Sequence, residues 1–168
     1  MADSKLNKYA ELLVNYSLAV KKGDQVLIQG EDVSQELIKV VYKEVLKNGA
    51  HPLVITKFAE QEELFYKYAS AEQLDYPAPF TKHLMENVDA SLRILGHNNT
   101  KNLAGVEPDK IKKRSIARKE ISEIVMKRAA EGSLNWNICQ FPTHADAQEA
   151  GMSLGDYREF VYQACHLN

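Results

Sequence analysis

Four short apolar runs punctuate the chain: Val26 to Gln29 (VLIQ), Leu53 to Thr56 (LVIT), Ala90 to Leu95 (ASLRIL) and Trp136 to Phe141 (WNICQF). Each is four to six residues long, rich in β-branched or aromatic side chains and bounded by Gly, Pro, Asn or Asp, the pattern of a strand. Between them the apolar positions fall at helical spacing. Leu6, Tyr9, Leu13, Tyr16 and Val20 precede the first run, and Leu37, Val40, Val41, Val45 and Leu46 precede the second. Strand and helix therefore alternate. The unbroken apolar character of the first two runs predicts burial on both faces, as in parallel strands covered by helices on either side. The expected fold is α/β: one domain with a mostly parallel sheet of four or five strands and helices on both faces.

Punctuation sharpens these boundaries. Gly23 and Gly49 stand where helix ends want a left-handed residue. Asp32 with Gln35, Thr143 with Asp146 and Ser153 with Asp156 all have the spacing of a capping box. Asp75-Tyr76-Pro77-Ala78-Pro79 separates two helical pieces, Glu60 to Ser70 and Phe80 to Asn87. Pro108 opens a further helix that the pattern carries to Gly132, with Ile111, Ile121, Ile124, Val125 and Ala129 as its buried stripe. A last amphipathic helix starts at Ser153 with Leu154, Tyr157, Phe160, Val161 and Cys165 on its apolar face. The chain stops soon after it, which suits either a natural domain end or the cut end of a longer protein. No internal repeat or long interior linker divides the sequence.

Composition narrows the partners. The 168 residues carry 21 Lys plus Arg against 23 Asp plus Glu, a net charge of -2, so the molecule as a whole has no electrostatic reason to collect on nucleic acid or anionic lipid. A basic run does occur at Lys110, Lys112, Lys113, Arg114, Arg118 and Lys119. Its positions wrap around a helix without interleaved aromatics, which predicts a solvated surface in place of a nucleic-acid patch. No apolar stretch reaches the roughly 18 residues of a membrane span, and the lysine-containing opening lacks the apolar core of a signal peptide. A cytoplasmic location is expected. The two cysteines, Cys139 and Cys165, fit no zinc or redox spacing and read as buried, reduced thiols.

Catalytic patterns are missing from the residues themselves. Gly30-Glu31-Asp32-Val33-Ser34 lies at the first strand-to-helix turn, where phosphates often bind, but one glycine with two acidic neighbours disfavours an anion. The histidines, His51, His83, His97, His144 and His166, form no close ligand pair. No GxSxG elbow is present.

The segments LNKYAELLVNYSLAVKKGDQVLIQG, LGHNNTKNLAGVEPDKIKKRSIA and WNICQFPTHADAQEAGMSLGDYREFVYQAC together resemble the amino-terminal domain of the thermophilic metalloaminopeptidase family, of the aminopeptidase T and aminopeptidase S type. The most specific matches are Trp136, Pro142, Thr143, Ala147, Ala150, Gly151, Met152 and Ser153. Asn99-Thr100 departs from the Asn-Pro common in the family. The resemblance implies a two-domain enzyme that removes amino-terminal residues from peptides with two divalent metal ions of the zinc or cobalt class. It implies that the metal and catalytic residues lie in a carboxy-terminal domain that this sequence lacks, so that residues 1–168 hold neither and act as a non-catalytic half. The partners it implies are that catalytic domain, peptide substrates and a second copy in a dimer. A free-standing α/β binding module and a small nucleotide-binding protein are the rival readings.

In open α/β sheets, ligands and neighbouring domains gather at the carboxyl ends of the strands. Three loops meet that description: Gly30 to Ser34, Gly96 to Lys101 and Phe141 to His144. Their polar residues make His97, Asn98, Asn99, Thr143 and His144 the candidates for the wall of a substrate cleft, with Glu31 and Asp32 beside them. Ordinary turn and cap chemistry is the competing explanation.

Overall fold

The computed structural model describes residues 2–167. Helix α1 (Ala2–Glu11) continues into a π-helical turn (Leu12–Ser17), followed by β1 (Gln25–Glu31), a 3-10 turn (Asp32–Ser34), α2 (Gln35–Lys47) and β2 (His51–Lys57). Helices α3 (Gln61–Tyr68), α4 (Ala71–Leu74) and α5 (Pro79–Asn87) lead to β3 (Ala90–Leu95). Then come α6 (Pro108–Ala117), α7 (Lys119–Ala130), β4 (Asn135–Gln140), α8 (His144–Glu149) and α9 (Leu154–Ala164). Among the described residues the strands form one four-stranded sheet in the order β2-β1-β3-β4, with every pairing parallel. The α/β class and the parallel sheet are those the alternation implied.

The contacts divide the chain into two compact units. The first holds the sheet and is built from the chain up to Ala59, Asp89–Thr100 and everything from Asn135 onward; the second is helical and comprises Glu60–Val88 and Lys101–Leu134. Because the units interleave, no linker marks them in the sequence.

In the sheet unit, Val26 and Ile28 of β1, Leu92 and Ile94 of β3 and Cys139 of β4 project to one face. They pack with Leu37, Val41 and Val45 of α2 and with Val161 and Tyr162 of α9. Each such fully buried side chain contributes roughly 1.5–3 kcal/mol of hydrophobic stabilisation. Strand β2 does not follow the expectation of two-sided burial: Leu53 and Ile55 are exposed, because β2 is an edge strand and only Val54 reaches the core. The first helix also departs from its pattern. Its π-helical turn inserts an extra residue, so Leu13, Val14 and Leu18 turn inward while Tyr16 is 82% exposed. In α2, Ile38 replaces Leu46 on the buried stripe. Cys139 is buried as expected, but Cys165, at the end of α9, is only partly so.

The helical unit breaks the long helix read from Pro108 to Gly132. At Arg118 the backbone leaves helical geometry (φ -102°, ψ 2°), ending α6 and starting α7 without a glycine or proline to announce it. Its stripe is half-buried or exposed, with none of Ile111, Ile121, Ile124, Val125 and Ala129 fully covered. The basic run does more than face solvent. Lys110 donates to the Tyr66 carbonyl (3.3 Å), Lys113 pairs with Asp75 (2.8 Å), and Arg114 donates to the Tyr76 carbonyl (2.8 Å) while lying 4.7 Å over the Phe65 ring. Arg128 is the principal polar anchor of this unit: its guanidinium donates to the carbonyls of Met85 (2.8 Å), Val88 (2.8 Å) and Ser133 (2.6 Å). Arg128→Ala leaves these carbonyls without their charged donor, so a loss of about 2 kcal/mol is expected in denaturant unfolding, and a change within experimental error would refute the anchor.

Candidate functional site

The site is built where the sheet unit's strands end. Chain order makes β1 and β3 the pair at which the sheet reverses direction, the place where the following loops diverge and ligands of open sheets bind. Here the protein's own groups bridge the loops. Asp32, just after β1, accepts from the Val33 amide (2.8 Å), from the Asn98 side chain after β3 (2.9 Å) and from the Ala59 amide after β2 (3.3 Å). The capping box expected of Asp32 and Gln35 is not formed, because α2 starts later, at Gln35, and the Asp32 carboxylate is committed to these loops. Gly96 makes the approach possible. A Cβ there would sit 3.3 Å from Thr143 Cγ2 and 3.4 Å from both the Phe141 carbonyl and Val33 Cγ1, so a side chain would crowd these neighbours and shift them by a few tenths of an ångström.

A second carboxylate ties β3 to β4. Thr143 caps α8 by accepting from the Asp146 amide (3.1 Å), and its hydroxyl donates to Asp146 Oδ2 (2.7 Å), as the Thr143 to Asp146 spacing suggested. The same Oδ2 accepts from Gln140 Nε2 (2.8 Å) and from the His97 amide (3.3 Å), and Oδ1 meets His97 Nδ1 at 2.7 Å. The Asp146 side chain is 10% exposed and that of His97 42%. A carboxylate only accepts, so the network assigns the proton to Nδ1 and leaves Nε2 without a partner among the described residues. The result is an imidazole held in one orientation by a nearly buried carboxylate, with its second nitrogen outward. Asp146 also helps to raise the Tyr157 hydroxyl above its ordinary pKa, after burial, which is the larger cause.

Thus His97, Asn98 and Thr143 enter these two networks. Thr100 joins the same loop to α8 by donating to Glu149 (2.9 Å). Asn99 is at the loop's exposed tip, and His144, exposed at the start of α8, lies outside both networks. Asp146 and Gln140 are the residues that sequence reasoning missed as site groups. The capping spacing exposed Asp146 as a cap, but nothing local signals its contact with His97, 49 positions away.

The arrangement can orient a donor or acceptor toward a bound molecule. Among the described residues no three His, Cys, Asp or Glu side chains converge to hold a metal ion, so the donors do not fit a dinuclear centre. No helix among them is long and apolar enough to cross a membrane.

Comparison with known proteins gives the context. The fold matches wild-type AmpT from Thermus thermophilus with a TM-score of 0.76 at 20% identity, over 98% of this chain and 43% of that one. This chain therefore spans less than half the length of that protein. Apo MatB from Rhodopseudomonas palustris is a far weaker likeness, with a TM-score of 0.38 at 16% identity over 94% of this chain and 21% of the other, too distant to bear on the fold. Comparison with curated protein sequences finds no match. The model of the thermophilic metalloprotease (M29) family matches residues 2–168, essentially the whole sequence, and the chain belongs to that family.

Proposed function

We propose that this chain is the amino-terminal, non-catalytic domain of a metal-dependent aminopeptidase, and that its strand-end loops wall the peptide cleft. One observation carries the reading. The chain belongs to the thermophilic metalloprotease (M29) family, and its fold aligns over 98% of its own length with only 43% of AmpT from Thermus thermophilus, so more than half of that relative lies outside the matched part. The zinc- or cobalt-class ions would then be held by a carboxy-terminal catalytic domain, the natural partner of this one, and a dimer of the whole would complete the enzyme in the cytoplasm. The oriented His97 ring and Asn98 would touch the peptide backbone or its far end.

Two measurements test this. The 168-residue chain with added cobalt or zinc should hydrolyse an aminoacyl-anilide no faster than a metal-only control; a rate above that control would place the active site here. In the intact enzyme, replacing His97 and Asn98 with alanine should raise KM severalfold for longer peptides with little change in kcat. Unchanged kinetics across a peptide-length series would remove these residues from the cleft.

A further inference from the structure

A second surface of the sheet unit has the chemistry of a small-molecule site. A half-open cleft of about 280 Å³ lies among α1, the start of α2, the end of β4 and α9. Leu6, Phe141 and Tyr162 form its apolar floor, and charged side chains surround it. Two of these charges satisfy each other: Lys5 Nζ contacts both carboxylate oxygens of Glu159, at 3.0 and 2.7 Å. The other two do not. Arg158 of α9 and Glu36 of α2 also line the cleft, yet neither makes a side-chain hydrogen bond or ion pair with another described residue, and they do not pair with each other. Burial raises the Tyr162 hydroxyl above its ordinary pKa, with Arg158 opposing the rise and Glu36 adding to it. That hydroxyl too has no hydrogen-bond partner among the described residues.

The cleft thus offers an unmatched guanidinium, an unmatched carboxylate and a phenol above an apolar floor. We infer that it binds a free α-amino acid with an aliphatic or aromatic side chain, the carboxylate on Arg158, the ammonium on Glu36 and the side chain against Leu6, Phe141 and Tyr162. A guanidinium fork matches a carboxylate bidentately, and Glu36 is the available acceptor for an ammonium. The volume sits at or just below the roughly 300–1,000 Å³ of drug-sized pockets, which suits one amino acid better than a longer peptide. Apart from Phe141, which begins a strand-end loop, the residues of this cleft lie outside the Asp32 and Asp146 networks, and the proposal does not depend on the peptidase reading.

Calorimetric titration of the 168-residue chain with L-leucine and L-phenylalanine tests it, with leucinamide, N-acetyl-leucine and glycine as ligands lacking one feature each. One-site saturable binding of leucine or phenylalanine is expected, with each of the other three at least about tenfold weaker, the loss of one charge-assisted contact or of the apolar one. Arg158→Gln and Glu36→Gln should each weaken leucine about tenfold. Gly155→Phe should abolish binding by filling the cleft from the first turn of α9, where an added Cβ meets nothing nearer than Ser153 Oγ at 3.8 Å and leaving glycine favours the helix. Circular dichroism and thermal melting establish that each variant is folded, and the ligand series on the unaltered chain decides the matter even if one is not. No saturable binding of either apolar amino acid, or glycine or the two blocked derivatives binding as tightly as leucine, overturns the proposal.

Discussion

Asp146→Ala should lower the stability of the chain by about 3 kcal/mol, as measured by denaturant unfolding at neutral pH. The reasoning starts from burial. With one-tenth of its side chain exposed, the carboxylate has exchanged most of its water for the Thr143 hydroxyl, the Gln140 amide and the ring and backbone nitrogens of His97. Hydrogen bonds to a charged group contribute about 1.5–3 kcal/mol each when one is removed alone, but contacts within one network do not add. Alanine also strands the polar groups that now converge on the carboxylate. Partial re-solvation of the half-exposed His97 ring offsets part of this, and the net settles near the middle of the range for a broken buried network. A double-mutant cycle with His97→Ala should return a coupling of about 1 kcal/mol. A loss below about 0.5 kcal/mol for Asp146→Ala, the level of an ordinary surface substitution, would show that the loops are held by packing alone.

The network explains what could be read in advance. Strand positions and the caps at Thr143 and Ser153 were legible because each depends on residues a few positions apart, and the parallel pairing was legible only through the alternation of strand and helix. The order β2-β1-β3-β4 was not legible, whereas the loops were legible as a location, since the carboxyl ends of parallel strands place them. Their wiring was not: Asp32 to Asn98 spans 66 positions and His97 to Asp146 spans 49, and no local pattern encodes a partner at that distance. The same limit accounts for the turn of Tyr16 toward solvent and the break at Arg118. A π-helical turn shifts every later side chain by about a third of a turn without changing the periodicity a reader counts. At Arg118 the helix ends by backbone geometry alone, in a segment whose residues all favour helix or tolerate it. Half of the basic run, Lys112, Arg118 and Lys119, is solvent-exposed as expected, and the other half makes contacts that were not legible for a related reason. Lys110 and Arg114 reach carbonyls on α3 and after α4, at separations of 44 and 38 positions, so side chains that are solvated in isolation become anchors once folded.

Alkaline solution should destabilise the chain steeply, through the thiol at the heart of the sheet unit. Burial pushes the Cys139 thiol from 9.0 up to about 12, the largest cause, opposed by a hydrogen bond with Tyr9 and reinforced by Cys165. Burial also raises the Tyr9 hydroxyl, with Cys139 and Cys165 adding to the effect. Tyr9 itself is held between the core and the Gln140 carbonyl (3.3 Å). The sign follows from proton counting. Between about pH 9 and pH 12 the unfolded chain has lost the thiol proton and the folded chain keeps it, so the folded state binds more protons and stability falls as pH rises. Stability from this group is complete below pH 9 and is lost progressively toward pH 12, at up to about 1.4 kcal/mol per pH unit and about 4 kcal/mol in all. Cys139→Val keeps an apolar side chain of similar size and removes the titration, so its unfolding free energy should decline less over that interval than that of the unaltered chain. In native protein at pH 8, a thiol reagent should modify the partly exposed Cys165 before Cys139. Identical pH slopes for the two proteins, or modification of Cys139 first, would show that the thiol is open to solvent and that this part of the core is packed less tightly than the structure indicates.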